Sequence, residues 1–289
     1  MPAEIYLNVA ISGLLTGLVY GLMALGLSVI YGVVRVVNFA HGEMMTIAMY
    51  AAVGLFSAFG LDPFLAAIPI AAAFFVLGYL LQAGLINPFI TRPEHTQFML
   101  MVAVAIIMVN GLLMVFGPDA RNVQIAYQLE SWEIGKILLD KPRVYAAGMA
   151  AATSLCLFIF FKKTLTGKAI RACADNHLGA RVVGLNVKHL YALTFGLGSA
   201  CVAVAGCMMI LFLDVTPTRG PSYTLLAFII VIVGGLGSMT GALLGGVLIG
   251  LSEALAGLFI TPSAKSMFGY GLLILVLLFR PQGLLGKKP

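Results

Sequence analysis

The chain has 289 residues, of which 61% are hydrophobic and 10% are charged, whereas soluble domains carry about 25% charged residues. A soluble globular protein is therefore excluded, and the sequence predicts a single transmembrane domain over residues 1–289. The net charge of +6 does not indicate nucleic-acid binding, because the Lys and Arg residues lie almost entirely in short gaps between apolar runs.

Apolar runs of about 20 residues, the length needed to cross a bilayer, recur along the whole chain. The stretch from Leu225 to Phe259 is too long for one crossing, and its centre, GGLGSMTGALLGG, predicts a break at 237–240. The fold class is an all-α polytopic transmembrane helical bundle of eight or nine spans with broken or re-entrant helices. The first span is expected to be retained, since no signal-peptide cleavage site follows it. The predicted segments are 9–33, 41–60, 64–86, 97–116, 144–161, 190–213, 223–237, 241–260 and 266–280.

The distribution of the 17 Lys and Arg residues predicts the orientation. If the basic loop 162–189 is cytoplasmic, alternation of nine segments places most of them inside, as the positive-inside rule requires. We therefore expect a periplasmic amino terminus and a cytoplasmic carboxyl terminus. The outer loop 117–143, with Trp132, is either a docking surface for an outside partner or a solvated loop. The basic residues expected inside are Arg35, Arg92, Lys162, Lys163, Lys168, Arg171, Arg181, Lys188, Arg280, Lys287 and Lys288, and those outside are Arg121, Lys136, Lys141, Arg143, Arg219 and Lys265.

Polar side chains in or beside apolar runs are the candidate functional residues, because ionisable groups at membrane depth are costly and often line pathways. Asn38, His41 and Glu43 form the most concentrated group, in VVNFAHGEMM. Alternatively, Asn38 caps a helix that begins near Phe39, while His41 and Glu43 face interfacial water. Glu253 has no cation within a helical turn, and it either lines a solute path or forms structural hydrogen bonds to the Gly/Ser break.

The predicted break contains Gly235, Gly237 and Ser238. It either presents backbone polar groups to a solute or only allows close helix packing. We expect these residues, with the four polar residues above, near the translocation path or its gate. Metal and catalytic sites are not expected, because no HExxH, Cys/His cluster or Ser/His/Asp order is present. TLTGKA is not a P-loop, and the four cysteines are expected to be reduced packing residues.

The loop 162–189 is amphipathic as well as basic. Thr166 is expected to cap a helix at 167–174, and Asp175 or Asn176 to cap a second helix that Gly184 ends. Two such helices would form a cytoplasmic docking element. The alternative is a basic loop on anionic lipid. The residues singled out in this element are Arg171, Asp175, Leu178, Arg181 and Gly184.

Five motifs occur in order along nearly the whole chain: GLSVIYGVVRVVNFAHGE, GKAIRACADNHLGARVVGLN, LTFGLGSACVAVAG, GGLGSMTGALLGGVLIGLSEAL and LLILVLLFRPQGLLG. In these motifs the chain resembles the LivH-type permeases of branched-chain amino acid ABC importers. The outer loop 117–143 carries no comparable signature. The loop at 167–186 lacks the Glu-Ala-Ala opening of many importer permeases and has Arg171 to Ala174 in that stretch, which weakens the transfer of individual ATPase contacts.

The resemblance implies a transport subunit of the bacterial inner membrane, not an enzyme, that translocates branched-chain amino acids or related small polar solutes. It implies a second homologous permease subunit, two cytoplasmic ATPase subunits that use ATP, and a periplasmic solute-binding protein. With such ATPase subunits, the docking element at 166–186 is expected to couple the chain to an ATPase, and the candidate coupling residues are Arg171, Asp175, Leu178, Arg181 and Gly184. The surroundings are membrane lipid, and no cofactor of its own or nucleic-acid partner is expected. Urea, amides and aromatic or other carboxylates are alternative solutes. A stand-alone secondary transporter or channel is the alternative of another class, with His41, Glu43 and Glu253 as proton-coupling groups.

Overall fold

The computed structural model describes residues 3–135, 137–259 and 265–286, so Lys136, Lys287 and Lys288 of the predicted charge distribution lie outside the described residues. The described chain is a helical bundle with one antiparallel β-hairpin, which confirms the all-α class. The helices are α1 Ala3–Val34, α2 His41–Phe59, α3 Pro63–Leu80, α4 Glu94–Phe116, α5 Lys141–Lys163, α6 Leu165–Asp175, α7 His177–Val182, α8 Val187–Met209, α9 Gly220–Gly234, α10 Met239–Phe259 and α11 Lys265–Phe279; the strands are β1 Ser131–Ile134 and β2 Ile137–Asp140.

The nine predicted segments correspond to α1–α5 and α8–α11. Within the described ranges, eight helices are long and apolar enough to cross a membrane, and the apolar part of α11, Met267–Phe279, is shorter. The break between α9 and α10 falls at 235–238, close to the predicted 237–240. Hydropathy therefore located each span to within six residues of the observed helix ends, the largest differences being at the start of α1 and the end of α3.

The two ends of the bundle are distinguished by the elements that meet there. At the hairpin end, the amide of Leu138 in β2 donates to Asn8 Oδ1 near the start of α1 (3.1 Å). At the opposite end, which we call the tail end, the carboxyl-terminal tail 280–286 packs on Gly235. The α9–α10 break also contacts Gly32, near the end of α1, at the tail end. The first and last described residues thus lie at opposite ends, as an odd number of passes requires.

Helices α1 and α8 form the centre of the bundle. About four-fifths of the most apolar part of each is buried (78% and 83%), against 28% for α3 and 22% for α4, which lie at the periphery. Helix α1 packs on α10 through glycines, because a Cβ at Gly250 would lie 2.6 Å from the carbonyl oxygen of Gly13 and would also overlap Gly17. Gly246 meets Gly21 in the same way. Small residues at such contacts let helix backbones approach closely in membranes.

Two stretches of chain outside the α-helices enter the bundle and explain why α2 and α9 are short; the second includes a short 3-10 helix, Pro217–Arg219. Arg35 has left-handed backbone angles (φ 58°) and ends α1, after which residues 36–40 return into the bundle. His41, the first residue of α2, contacts Met23, which is about 16 Å along α1 from Val34. Residues 210–219 likewise lead to an α9 that begins beside α2. Irregular backbone at such depth is tolerated where protein buries it.

At the hairpin end, the loop 117–140 forms hydrogen bonds with the ends of the helices. Asp62 caps α3 by accepting a hydrogen bond from the amide of Phe64 (2.8 Å), and its carboxylate also accepts from the hydroxyl of Tyr127 (2.7 Å). Burial, together with this hydrogen bond to Asp62, raises the pKa of the Tyr127 phenol above its usual value. The loop 117–140 is therefore tied to the bundle at several points.

Candidate functional site

Part of the predicted polar group meets α9 where the first turns of α2 and α9 cross. The amide of Gly42 donates to Thr224 Oγ1 (2.8 Å), and the Thr224 hydroxyl donates to Glu43 Oε2 (2.9 Å). A Cβ at Gly42 would overlap the carbonyl oxygen of Gly220, so only glycine permits this crossing. Glu43 is 3% exposed, and its carboxylate stands in the first turn of α2, where the helix dipole favours negative charge.

Asn38 and His41 hold the segment that precedes α2. Asn38 Oδ1 accepts a hydrogen bond from the amide of Ala40 (3.0 Å), and His41 Nε2 lies 2.9 Å from the carbonyl oxygen of Met23, to which it donates in the tautomer with the proton on Nε2. Both side chains are fully buried. Asn38 therefore stabilises a turn instead of capping a helix at Phe39. The alternative in which His41 and Glu43 face interfacial water is wrong, because the re-entrant chain carries them into the protein.

Glu253 is separate from this crossing. It lies about 21 Å along α10 from Met239 and lines a cavity of about 880 Å³ at the hairpin end, the hairpin-side cavity. The hydroxyl of Tyr20 on α1 is hydrogen-bonded to the Glu253 side chain. The interpretation in which Glu253 bonds to the Gly/Ser break is therefore wrong, because that break lies at the other end of α10.

The predicted break, Gly235 to Ser238, lies at the tail end of the bundle. The amides of Leu284 and Leu285 in the tail donate to the carbonyls of Val233 and Gly234 (2.9 and 3.0 Å), so the tail satisfies the last carbonyls of α9. Gly235 has a φ of 107°, which glycine adopts without strain. Ser238 Oγ accepts the amide of Gly241 (3.1 Å) and thereby caps α10.

A second cavity, of about 1250 Å³, lies at the tail end and is called here the tail-side cavity. Its lining includes Gly237 and Ser238 of the α9–α10 break and the basic residues Lys168 and Arg171 of α6. The hydroxyl of Ser28 on α1, which also lines it, is buried without a hydrogen-bond partner among the described residues. Members of both predicted groups therefore meet here: Gly237 and Ser238 from the path group, and Arg171 and Asp175 from the coupling group. Arg35 also lines this cavity.

The predicted coupling residues lie on α6 and α7, which form the expected pair of short helices. Asn176 caps α7 by accepting from the amide of Gly179 (2.9 Å), as one of the two predicted alternatives required. Gly184 (φ 86°) ends the pair in a Schellman arrangement, in which the amide of Leu185 donates to Ala180 and that of Gly184 to Arg181 (both 3.0 Å). The C-terminal geometry predicted for this element is thus correct.

The predicted N-cap of α6 is wrong by two residues. Thr164, not Thr166, accepts the amide of Gly167 (3.0 Å), and α6 begins at Leu165. The cause is the packing of Gly167, where a Cβ would lie 2.7 Å from the Cα of Phe161. This close approach starts α6 directly after α5.

The cysteines and acids of the described chain do not assemble a metal site. No group of three or more His, Cys, Asp or Glu side chains suited to a metal ion occurs within residues 3–135, 137–259 and 265–286. All four cysteines are free; Cys156 is exposed and the other three are buried. Burial raises the pKa of the Cys173 thiol on α6, in keeping with a packing role.

Comparison with known proteins gives the family. Residues 9–277 match the family described as branched-chain amino acid transport system, permease component. The chain belongs to this family. It is 30% identical to the high-affinity branched-chain amino acid transport permease BraD of Pseudomonas aeruginosa, and 30% identical to LivH of Escherichia coli, each over 98% of this chain and 96% of the relative.

The family assignment and the fold agree with each other. The chain is a multi-pass membrane protein and a permease subunit of the ABC importer class, not an enzyme. A solved structure, PsaBC from Streptococcus pneumoniae in complex with Fab, matches with a TM-score of 0.52 at 16% identity, over 98% of this chain and 97% of the other. That likeness concerns the fold alone.

Several polar residues of this permease were missed by the sequence reasoning. Thr224 joins Glu43 at the crossing, and Tyr20, Tyr223, Arg143 and Arg219 share the hairpin-side cavity with Glu253. A threonine, two tyrosines and two arginines near helix ends carry no distinctive spacing. Their one signal was polarity within or beside an apolar run, which many packing residues share.

Proposed function

We propose that this permease moves branched-chain amino acids, or closely related small polar solutes, into the cell across the bacterial inner membrane. The observation that carries this proposal is the match along nearly the full chain to permeases of branched-chain amino acid transport systems. The similarity covers 98% of the chain at 30% identity and includes both the membrane helices and the basic pair α6–α7. It therefore supports the role of a permease subunit that works with separate ATPase subunits.

The proposed orientation has the hairpin end in the periplasm and the tail end in the cytoplasm. Five basic residues lie in the tail-end segment that comprises the end of α5 and α6–α7: Lys162, Lys163, Lys168, Arg171 and Arg181. At the hairpin end, Lys141 pairs with Glu130, and Arg143 pairs with Asp140, so positive charge there is largely balanced. The positive-inside rule therefore favours a cytoplasmic tail end.

The proposed assembly contains a second homologous permease, two cytoplasmic ATPase subunits that bind ATP, and a periplasmic solute-binding protein. The pair α6–α7 is proposed as the ATPase contact, because it exposes apolar side chains beside cations. Leu178 is 62% exposed and Val182 is 87% exposed, whereas Ile170 and Cys173 pack inward. Such a surface suits a protein partner better than water, since contiguous exposed apolar groups mark interaction sites.

The proposed path runs between the two cavities. Along α1, Tyr20 lines the hairpin-side cavity and Ser28 lines the tail-side cavity. The intervening stretch is about 10 Å long and contains Met23, whose carbonyl binds His41. We propose the crossing of α2 and α9, with Asn38, His41 and Glu43, as the gate between the cavities, and the Gly235–Ser238 break as the hinge through which α6–α7 acts on it.

The test of this function is uptake by proteoliposomes that contain this permease with its permease partner and its ATPase subunits. Radiolabelled L-leucine is supplied outside with the solute-binding protein, and ATP is supplied inside. We expect leucine to accumulate only when ATP and binding protein are both present. Accumulation of urea or an aromatic carboxylate without leucine uptake would refute the proposed solute, and leucine uptake without ATP would favour a secondary transporter.

The coupling element has its own test in the same preparation. A Leu178→Asp, Arg181→Glu double variant should lower binding-protein-stimulated ATP hydrolysis and leucine uptake, while leucine binding to the binding protein stays intact. Gln124→Glu, at an exposed position of the loop before β1, is the control. Unchanged assembly and ATPase stimulation in the double variant would contradict the assignment of α6–α7.

A further inference from the structure

The hairpin-side cavity is bounded by α1, α9, α10 and α11, with β2 and the start of α5 at its edge. Its volume of about 880 Å³ exceeds that of any single amino acid, so a small solute fits with water around it. The lining is amphipathic. Its apolar part includes Phe212, Leu226, Ile229 and Leu258, and its polar part includes Tyr20, Arg143, Arg219, Tyr223 and Glu253.

Charges of both signs converge on two tyrosines in this cavity. Glu253, Arg143 and Tyr223 all lie within electrostatic range of the Tyr20 hydroxyl, and Glu253 is hydrogen-bonded to it. The Tyr223 hydroxyl is in turn within range of Arg219. Two carboxylates, Glu253 and Asp140, and two guanidinium groups, Arg143 and Arg219, therefore line one cavity. Arg143 pairs with Asp140, and Arg219 is exposed.

Two polar atoms of this region are not satisfied by the protein. The hydroxyl of Tyr223, a residue only 6% exposed, is buried without a hydrogen-bond partner among the described residues. The Nε of Arg143 is also buried without a hydrogen-bond partner among the described residues, although Nη1 of the same side chain donates to Asp140 (2.5 Å). Leaving such buried groups unpaired is unfavourable. A bound solute with acceptor atoms would satisfy both.

A purely structural role explains only some of these residues. The contact of Tyr20 with Glu253 ties α1 to α10, and the Arg143–Asp140 pair ties α5 to β2. Neither accounts for the unpartnered Tyr223 hydroxyl, nor for Arg219 in the same lining. The remaining donors and the carboxylate match the two charges of an amino acid.

We infer that the hairpin-side cavity is a binding subsite for a zwitterionic α-amino acid inside this subunit. Arg219, Arg143 and Tyr223 receive the α-carboxylate, Glu253 and Tyr20 receive the α-ammonium, and the side chain lies on the apolar part of the lining. This inference rests on the proposed function, because it assigns a site to the solute of that transport. A solute with only one of the two charged groups would make only one of these two sets of contacts.

The test is protection of an introduced cysteine in the assembled transporter without binding protein. Ser222 lines the cavity and is exposed, so a Ser222→Cys, Cys156→Ala variant offers one accessible thiol to a methanethiosulfonate reagent among the described cysteines. L-leucine should slow labelling. Isoamylamine, which lacks the carboxylate, and isocaproate, which lacks the ammonium, should not. An Asn122→Cys, Cys156→Ala variant, whose cysteine lies at an exposed position of the loop before β1, should be labelled at a rate that leucine does not change.

Charge-removing variants complete the test. Glu253→Gln and Arg219→Gln should each raise the leucine concentration for half protection about tenfold or more, because each removes one charge-assisted bond. The control Glu133→Gln, on an exposed side chain of the β-hairpin, should not. Tyr223→Phe keeps the shape of the site and should weaken protection more modestly. Unchanged labelling of the cysteine introduced by Ser222→Cys, measured in the absence of leucine, shows that a variant is folded.

The outcomes separate this inference from the proposed function. If the complex imports leucine but the three compounds protect equally, or none protects, the subsite is wrong and the transport function stands. If the complex imports no branched-chain amino acid, the proposed function fails. Leucine-specific protection that is lost in both charge variants supports the subsite.

Discussion

The close packing of α1 on α10 can be tested by adding one methyl group. In a Gly250→Ala variant the new Cβ would lie 2.6 Å from the carbonyl oxygen of Gly13 and would overlap Gly17, so both neighbours are backbone atoms that cannot rotate away. Overpacking of this kind costs about 1–3 kcal/mol. The control is Gly148→Ala in the middle of α5, where the added Cβ has no neighbour within 4 Å.

Both substitutions change Gly to Ala inside a helix, so the effect of intrinsic helix propensity is shared and cancels in the comparison. The difference between the variants is then the steric cost, about 1–3 kcal/mol, which is about a five- to 150-fold difference in the unfolding equilibrium constant. The assay is unfolding of the purified permease in mixed micelles by increasing sodium dodecyl sulfate, followed by circular dichroism. Equal shifts of the transition in the two variants would refute the close packing of α1 and α10.

Three further outcomes are expected. Thr224→Val should destabilise the protein by about 1–3 kcal/mol in the same assay, because it removes the hydrogen bonds of Thr224 with the Gly42 amide and with the buried Glu43. The exposed Thr240→Val should change the stability by less than about 0.5 kcal/mol. Gly283→Ala should speed hydrogen exchange of the tail amides about five- to 150-fold, because Gly283 has a φ of 78° and a Cβ on it would lie 2.5 Å from the Cα of Gly235 in the α9–α10 break. Gly269→Ala, where a Cβ has no neighbour within 4 Å, is the control. The purified chain alone should show no ATP hydrolysis, and turnover that survives removal of contaminating ATPases would overturn the assignment of a permease subunit.

Local sequence determined the membrane spans, the division of the last long apolar stretch and the end of the α6–α7 pair. Hydropathy over about 20 residues reports how a segment partitions into lipid, and this depends on composition and not on tertiary neighbours. The caps at Asn176 and Gly184 are likewise interactions over a few residues. The cap at Thr164 was missed because the start of α6 depends on the contact of Gly167 with α5.

The sequence also identified Asn38, His41, Glu43 and Glu253 as unusual, since ionisable groups in apolar runs need partners. Only the tertiary structure decided which partners they have. Glu43 meets Thr224 from a helix 181 positions away, and Glu253 meets Tyr20 on α1, so the four residues divide between a buried crossing and a separate cavity. Pairings over such distances depend on helix direction, rotation and depth, which are set by the packing of glycine-lined faces and by re-entrant chain, and neither hydropathy nor charge encodes them.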